Sequence, residues 1–187
     1  DNRTITVQDT GIGMTQDELV DHLGTIAQSS ARKFMEVAKE NNQDASGLIG
    51  QFGVGFYSVF MVAEWVLVTS RSFRPDAQAV TWYATGDDTY QISPAEMTER
   101  GTRIEIKLKE DAAEFAEEYR LKNIINKHSD YIGFPIYVGD EEKPVNKQSS
   151  LWRTARNEIT AEQYKDFYRQ TTLDFEDPLL HVHMVTD

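Results

Sequence analysis

Asp9-Thr10-Gly11-Ile12-Gly13-Met14-Thr15 is the stretch whose reading decides the fold. Ahead of it, Thr4 to Gln8 alternate polar and apolar, so Ile5 and Val7 share one face of a strand. With a period of two, Asp9 falls on that same face at the strand's carboxyl end. Gly11 and Gly13 then break the strand. Thr15 and Glu18 form a Thr-x-x-Glu capping box, and Leu19, Leu23 and Ile26 follow at helical spacing. Glycines between a strand and a helix permit positive φ and a close approach of a ligand to the backbone. A carboxylate held at that point accepts hydrogen bonds and suits an exocyclic amine such as that of adenine.

Downstream, residues 27–50 carry weak patterning, with a short helical stretch at Phe34 to Ala38 and a polar run from Lys39 to Ser46. A segment this long without strong periodicity is more often a functional loop than a rigid connector. It leads into a second glycine cluster, Gly50-Gln51-Phe52-Gly53-Val54-Gly55, followed by the apolar run Phe56 to Ala63, which reads as a buried helix. Free amides at a helix start, with the positive end of its dipole, make an anion site without a lysine. One cluster can therefore hold a base and the other a phosphate chain. Each signal alone is weak, and no Gly-Lys-Ser or Gly-Lys-Thr phosphate loop occurs.

The rest of the first half is strand-rich: Trp65 to Arg71, Ala79 to Thr85, Thr89 to Ser93 and Thr102 to Leu108 carry β-branched or aromatic residues between turn formers. Asp111 and Glu114 give a further capping-box pattern before a helix holding Phe115, Tyr119, Ile124 and Ile125, with Lys127 and His128 at its end. Gly139 to Pro144 reads as a turn or short linker, and the composition shifts after it. A third capping box, Thr160 to Gln163, precedes Tyr164, Phe167, Tyr168 and Thr171 in one helical stripe. The boundaries expected are a first domain over 1–141, a linker over 142–150 and the opening of a second domain over 151–187. Trp152, Phe167 and Tyr168 read as core of that second domain, and His181 and His183 as packing or surface histidines without a third metal ligand.

Composition narrows the functional classes. Of 187 residues 40% are hydrophobic and 27% charged, an ordinary globular balance. No apolar run reaches the ~18 residues of a membrane span, the first residues do not form a signal peptide, and a membrane partner is not expected. Cysteine is absent, which excludes a disulfide framework and suits a reducing cytoplasm. A formal net charge of −12 repels nucleic-acid phosphate, so no nucleic-acid partner is expected. The chain opens with Asp1 inside a strand pattern, and a truncated beginning is the expectation.

Asp9-Thr-Gly-Ile-Gly-Met14-Thr15, Leu23-Gly-Thr-Ile-Ala27-x-Ser29, Ile49-Gly-Gln-Phe-Gly-Val-Gly-Phe-Tyr-Ser58 and Arg100-Gly-Thr102 together resemble the heat-shock 90 chaperones. Leu151-Trp152, Glu158-Ile-Thr160, Tyr164, Phe167-Tyr168 and Asp174-Phe-x-Asp-Pro-Leu179 resemble the opening of that family's middle domain. The short linker is similar to the bacterial form. The resemblance implies the GHKL, or Bergerat, ATPase fold, an α+β two-layer sandwich, here without its first strand and helix. It implies that Asp9 bonds the adenine amine with help from Thr102, and that Gly13 and Met14 line the adenine pocket. It also implies that residues from about Gly24 to Phe52 form a lid, and that Gln51, Phe52, Gly53, Val54, Gly55 and Phe56 meet the phosphates through backbone amides. His22 stands where many members have a nucleotide-contacting Asn, Gln28 where a Lys is common and Ser30 where a Gly is common.

By the same resemblance, the cofactors are ATP or ADP with Mg2+, the partners are unfolded or partly folded client proteins, and the full-length protein is a homodimer through a carboxyl-terminal domain. The general-base Glu and the magnesium-binding Asn would lie upstream of Asp1, so this chain is expected to bind nucleotide with negligible hydrolysis. Two other classes compete. Mismatch-repair proteins, type II topoisomerases and histidine kinases share the two glycine clusters, and a non-catalytic interaction module could keep the fold without nucleotide.

Overall fold

A computed structural model describes residues 3–24 and 55–184. The expected helical stretch Phe34 to Ala38, the helix residue Ile26, and Gly50 to Val54 of the second glycine cluster lie outside the described residues. Five strands form one antiparallel sheet: β1 (Thr4–Asp9), β2 (Ala63–Arg71), β3 (Ala79–Ala84), β4 (Tyr90–Ala95) and β5 (Gly101–Leu108). Their spatial order is β1-β5-β2-β3-β4, so the last strand slots between the first and second. Pro94 sits in β4, at the sheet's edge, the place in a sheet where a residue without an N–H is tolerated.

The register places side chains in rows across the sheet, because alternate residues of a strand share a face. Ile5, Ile106, Val66, Ala84 and Tyr90 stand side by side in one row. Val7, Ile104, Val68, Trp82 and Ile92 form the next row on the same face. The helix α1 (Gln16–Leu23) lays the buried Leu19 and Leu23 over this face, joined by Phe56, Val59 and Phe60. The resulting core centres on Val66, Val68 and Trp82, all nearly inaccessible to solvent. The opposite face mixes the polar Thr6, Thr69, Arg103, Glu105 and Lys107 with Trp65, Leu67 and Tyr83.

The capping box at the start of α1 forms as the sequence demands. The Thr15 hydroxyl accepts from the Glu18 amide at 3.3 Å, and the Glu18 carboxylate accepts from the Thr15 amide at 2.8 Å. At the other end, the Tyr57 hydroxyl donates to the Leu23 carbonyl at 2.8 Å, and burial pushes this phenol above its usual range.

Two local expectations are overturned. Phe56 to Ala63 is not a buried helix: Phe56–Met61 is a short 3-10 helix with no fully buried residue, and Ala63 already belongs to β2. Aromatic and β-branched side chains crowd an α-helical turn, and the ladder to β5 draws Ala63 into the sheet. Asp111 does not cap an α-helix either. Glu110–Ala116 is a 3-10 turn without a side-chain cap, and α2 begins only at Glu118 (Glu118–His128), after the extended Glu117.

Compactness divides the chain between Arg120 and Leu121. In the second unit, α3 (Ala161–Thr172) starts at the Thr160 capping box, where the Gln163 side chain accepts from the Thr160 amide at 2.8 Å. Within the stretch expected as a linker, Asn146 is buried and bridges the Ile132 and Phe134 carbonyls and the Ile136 amide. Trp152, expected in the core, is instead 57% exposed; its ring meets Tyr131 and Phe167 edge-on. His181 stacks on Tyr164, and His183 Nδ1 lies 2.8 Å from the Tyr164 hydroxyl.

Candidate functional site

A third row crosses the same sheet face at the carboxyl end of β1: Asp9, Thr102, Ser70, Val80 and Pro94. Strands β1, β5 and β2 therefore carry polar side chains at this edge of the face, where the rows behind them are apolar. Above this polar corner lies a cleft of about 340 Å³, lined by Asp9, Gly11, Ile12, Gly13, Met14, Glu18, His22, Phe73 and Thr102. Its floor comes from β1 and β5, its far wall from α1, and its lip from the loop after β2.

Backbone geometry makes the cleft possible. Gly13 has φ +62, and a Cβ there would fall on the Arg71 carbonyl. Gly101 has φ +132, and a Cβ there would meet the Asp9 carbonyl. Neither position tolerates a side chain, which is how the loop settles onto the strand ends. The Phe73 amide donates to the Ile12 carbonyl at 2.8 Å, tying the lip to the glycine loop. Arg71 secures the chain leading into β5, donating to the carbonyls of Met97 and Thr98.

The side chains at the floor are held in distinct ways. Asp9 is exposed, and its Oδ1 accepts from the Gly11 amide at 2.8 Å, which leaves the carboxylate with acceptor capacity to spare. Thr102 is buried, and its hydroxyl lies 3.0 Å from that of Ser70. Glu18 is held below the usual carboxylate range, first by the Thr15 amide and then, against the cost of burial, by the Thr15 hydroxyl and the Arg74 guanidinium 3.0 Å away. His22 buries its Nδ1 without a hydrogen-bond partner among the described residues.

Of the residues the sequence singled out, Asp9, Gly13, Met14, His22 and Thr102 converge on this cleft. Gln51, Phe52, Gly53 and Val54 lie outside the described residues. Gly55 opens the 3-10 turn, and Phe56 turns its ring edge-on to Trp82 in the core, 5.7 Å between centroids. Sequence reasoning missed Ser70, Phe73 and Glu18 as site neighbours. Ser70 left a trace, a small polar residue where the alternation Val66, Val68 calls for an apolar one. Phe73 left none, since a loop aromatic carries no periodic signal.

An acceptor-lined floor with apolar walls from Ile12, Met14 and Phe73 fits a purine with its amine directed inward. Among the described residues no group of three or more His, Cys, Asp or Glu is placed to hold a metal ion.

The chain belongs to the histidine kinase-, DNA gyrase B- and HSP90-like ATPase family, whose model matches residues 1–110. Residues 138–187 match the Hsp90 protein family, and the mismatch-repair and topoisomerase alternative is not favoured. It is 47% identical over 180 residues to the chaperone protein HtpG of Chlorobium chlorochromatii, covering 96% of this chain and 28% of that protein. It is 47% identical over 188 residues to HtpG of Oleidesulfovibrio alaskensis, covering 100% of this chain and 29% of that protein. With HtpG of Nitratidesulfovibrio vulgaris the identity is 48% over 191 residues, covering 99% and 30%. The chain thus spans under a third of the length of the curated relatives it matches.

Proposed function

We propose that this chain is the nucleotide-binding part of an ATP-driven chaperone of the Hsp90 family, acting in the cytoplasm on unfolded or partly folded clients. Asp9 and Thr102 read the adenine amine, Gly13 and Met14 line the base, and His22 contacts the nucleotide from the α1 wall. Gln51, Phe52, Gly53, Val54, Gly55 and Phe56 supply backbone amides toward the phosphates. The whole protein hydrolyses ATP and works as a homodimer. Residues 1–141 serve as the ATP-binding domain, 142–150 as linker and 151–187 as the opening of the middle domain, a functional division distinct from the break in compactness.

The observation that carries this reading is the direct pairing of Asp9 with Thr102 on the cleft floor. Two neighbouring strands thereby present two oxygen acceptors to one ligand edge, a match for an exocyclic amine. Magnesium, when bound, would neutralise phosphate charge; it keeps several water and phosphate ligands and needs few from the protein. No described residue is assigned to it.

Calorimetric titration with ADP tests the reading. Asp9→Asn keeps a carbonyl oxygen for the Gly11 amide, so the loop is retained while one acceptor becomes an amide donor. Affinity should fall by about ten- to a hundredfold, the worth of roughly 1–3 kcal/mol for a broken buried hydrogen bond. An unchanged titration would favour a non-catalytic module that kept the fold without nucleotide.

A further inference from the structure

We propose that Ser70 is a positioning residue that makes the nucleotide cleft selective for a 6-amino purine, by holding the Thr102 hydroxyl as a hydrogen-bond acceptor. This rests on the adenine reading of the cleft.

The argument begins with an anomaly of patterning. Ser70 continues the buried series Val66, Val68 on β2 and is fully inaccessible, yet it is polar. A buried hydroxyl costs stability unless its bonds are made. Here three partners surround the one oxygen. The Met14 amide donates to it at 2.9 Å, the Gly101 carbonyl lies at 3.0 Å, and the Thr102 hydroxyl lies at 3.0 Å.

Counting hydrogens resolves the directions. A serine hydroxyl has one hydrogen and two lone pairs. One lone pair receives the Met14 amide. The Gly101 carbonyl can only accept, so it takes the serine's single hydrogen. The contact to Thr102 is then satisfied only if Thr102 donates its own hydrogen to the remaining lone pair of Ser70. No other assignment satisfies all three contacts together. Thr102 is thereby stripped of a hydrogen to offer the cleft and turns only lone pairs toward it.

Beside it in the same row stands the Asp9 carboxylate, also an acceptor. The floor accepts and does not donate. The 6-amino group of adenine matches such a floor; the 6-oxo group of hypoxanthine meets oxygen against oxygen. Ser70 also anchors Met14, so one buried oxygen ties the base-lining loop to the polarity of the floor. Ser70 is absent from the cleft lining and acts through Thr102.

The test is a comparison of ADP with inosine diphosphate, titrated into the full chain and its variants, with thermal unfolding as the check on folding. The unaltered chain should prefer ADP by about tenfold or more. Ser70→Ala frees the Thr102 hydroxyl to turn and donate, so the preference should shrink severalfold. Ser70→Thr retains the hydroxyl and should restore it. The double variant Ser70→Ala/Thr102→Val should show the selectivity of Thr102→Val alone, since the first residue acts through the second. If Ser70→Ala does not fold, Ser70→Cys, with its weaker donor, carries the same expected loss of preference. Equal weakening of both nucleotides by Ser70→Ala, with the preference intact, would overturn the assignment of Ser70 alone. No preference for ADP in the unaltered chain would overturn the adenine reading and this proposal with it.

Discussion

At the scale of single residues, the cleft combines side chains that the fold constrains with others that it leaves free. Thr102 and Ser70 are buried and locked, whereas Phe73 stands 57% exposed at the lip. An exposed ring contributes little to folding, so Phe73→Ala should alter stability by no more than about 0.5 kcal/mol. The same substitution removes an apolar surface from the ligand, and ADP should bind roughly fivefold more weakly, about 1 kcal/mol, at the low end for an aromatic against a base. Paired urea unfolding and ADP titration measure the two quantities. A large stability loss with unchanged affinity would assign Phe73 to the fold instead of the site.

At the scale of elements, α1 forms the far wall of the cleft, and its placement depends on its first turn. Thr15→Ala removes an acceptor for the Glu18 amide and should cost about 1 kcal/mol in urea unfolding. The Glu18 carboxylate adds a pH dependence whose sign follows from its lowered pKa. Because the folded state holds this group below its ordinary value of 4.5, the ionised form stabilises the fold above that pH. That stability is lost as the pH falls from there through the lowered value. Glu18→Gln keeps the reciprocal bond without the charge, so its deficit against the unaltered chain should be present at neutral pH and vanish in acid. Gln163, in the same box position of α3, is an internal contrast without a titrating group.

At the scale of the molecule, one apolar sheet face serves both the core and the floor of the site. Leu19 is wholly buried against Val66, Val68 and Trp82, and Leu19→Ala should cost about 2–5 kcal/mol in urea unfolding. Since Leu19 also seats α1, ADP binding should weaken at temperatures where the variant is still folded. The net charge of −12 acts over longer range and opposes a nucleic-acid partner. An electrophoretic shift assay at physiological salt should find no saturable binding of duplex DNA, and saturable binding would return the DNA-acting branch of the family to contention. Among the described residues no helix is long and apolar enough to cross a membrane.

Local chemistry determined what was legible in the sequence alone. Period-two alternation marked β1 and β5, β-branched and aromatic residues between turn formers marked β2 to β4, two capping boxes marked the starts of α1 and α3, and the glycine loop after β1 marked Asp9 as a candidate, to which the family resemblance added Gly13 and Met14. These signals work because they depend on neighbours a few residues apart. The same reasoning misjudged Phe56 to Ala63 and the Asp111 box, where apolar or capping patterns yielded to pairing across the sheet and to an extended Glu117. Only the tertiary structure brought Ser70 and Thr102, 32 residues apart, within 3.0 Å of each other. It alone placed Asp9 beside them, because the insertion of β5 between β1 and β2 depends on which strands pair. Strand pairing is set by burial of a whole face at once, and no local pattern encodes the partner.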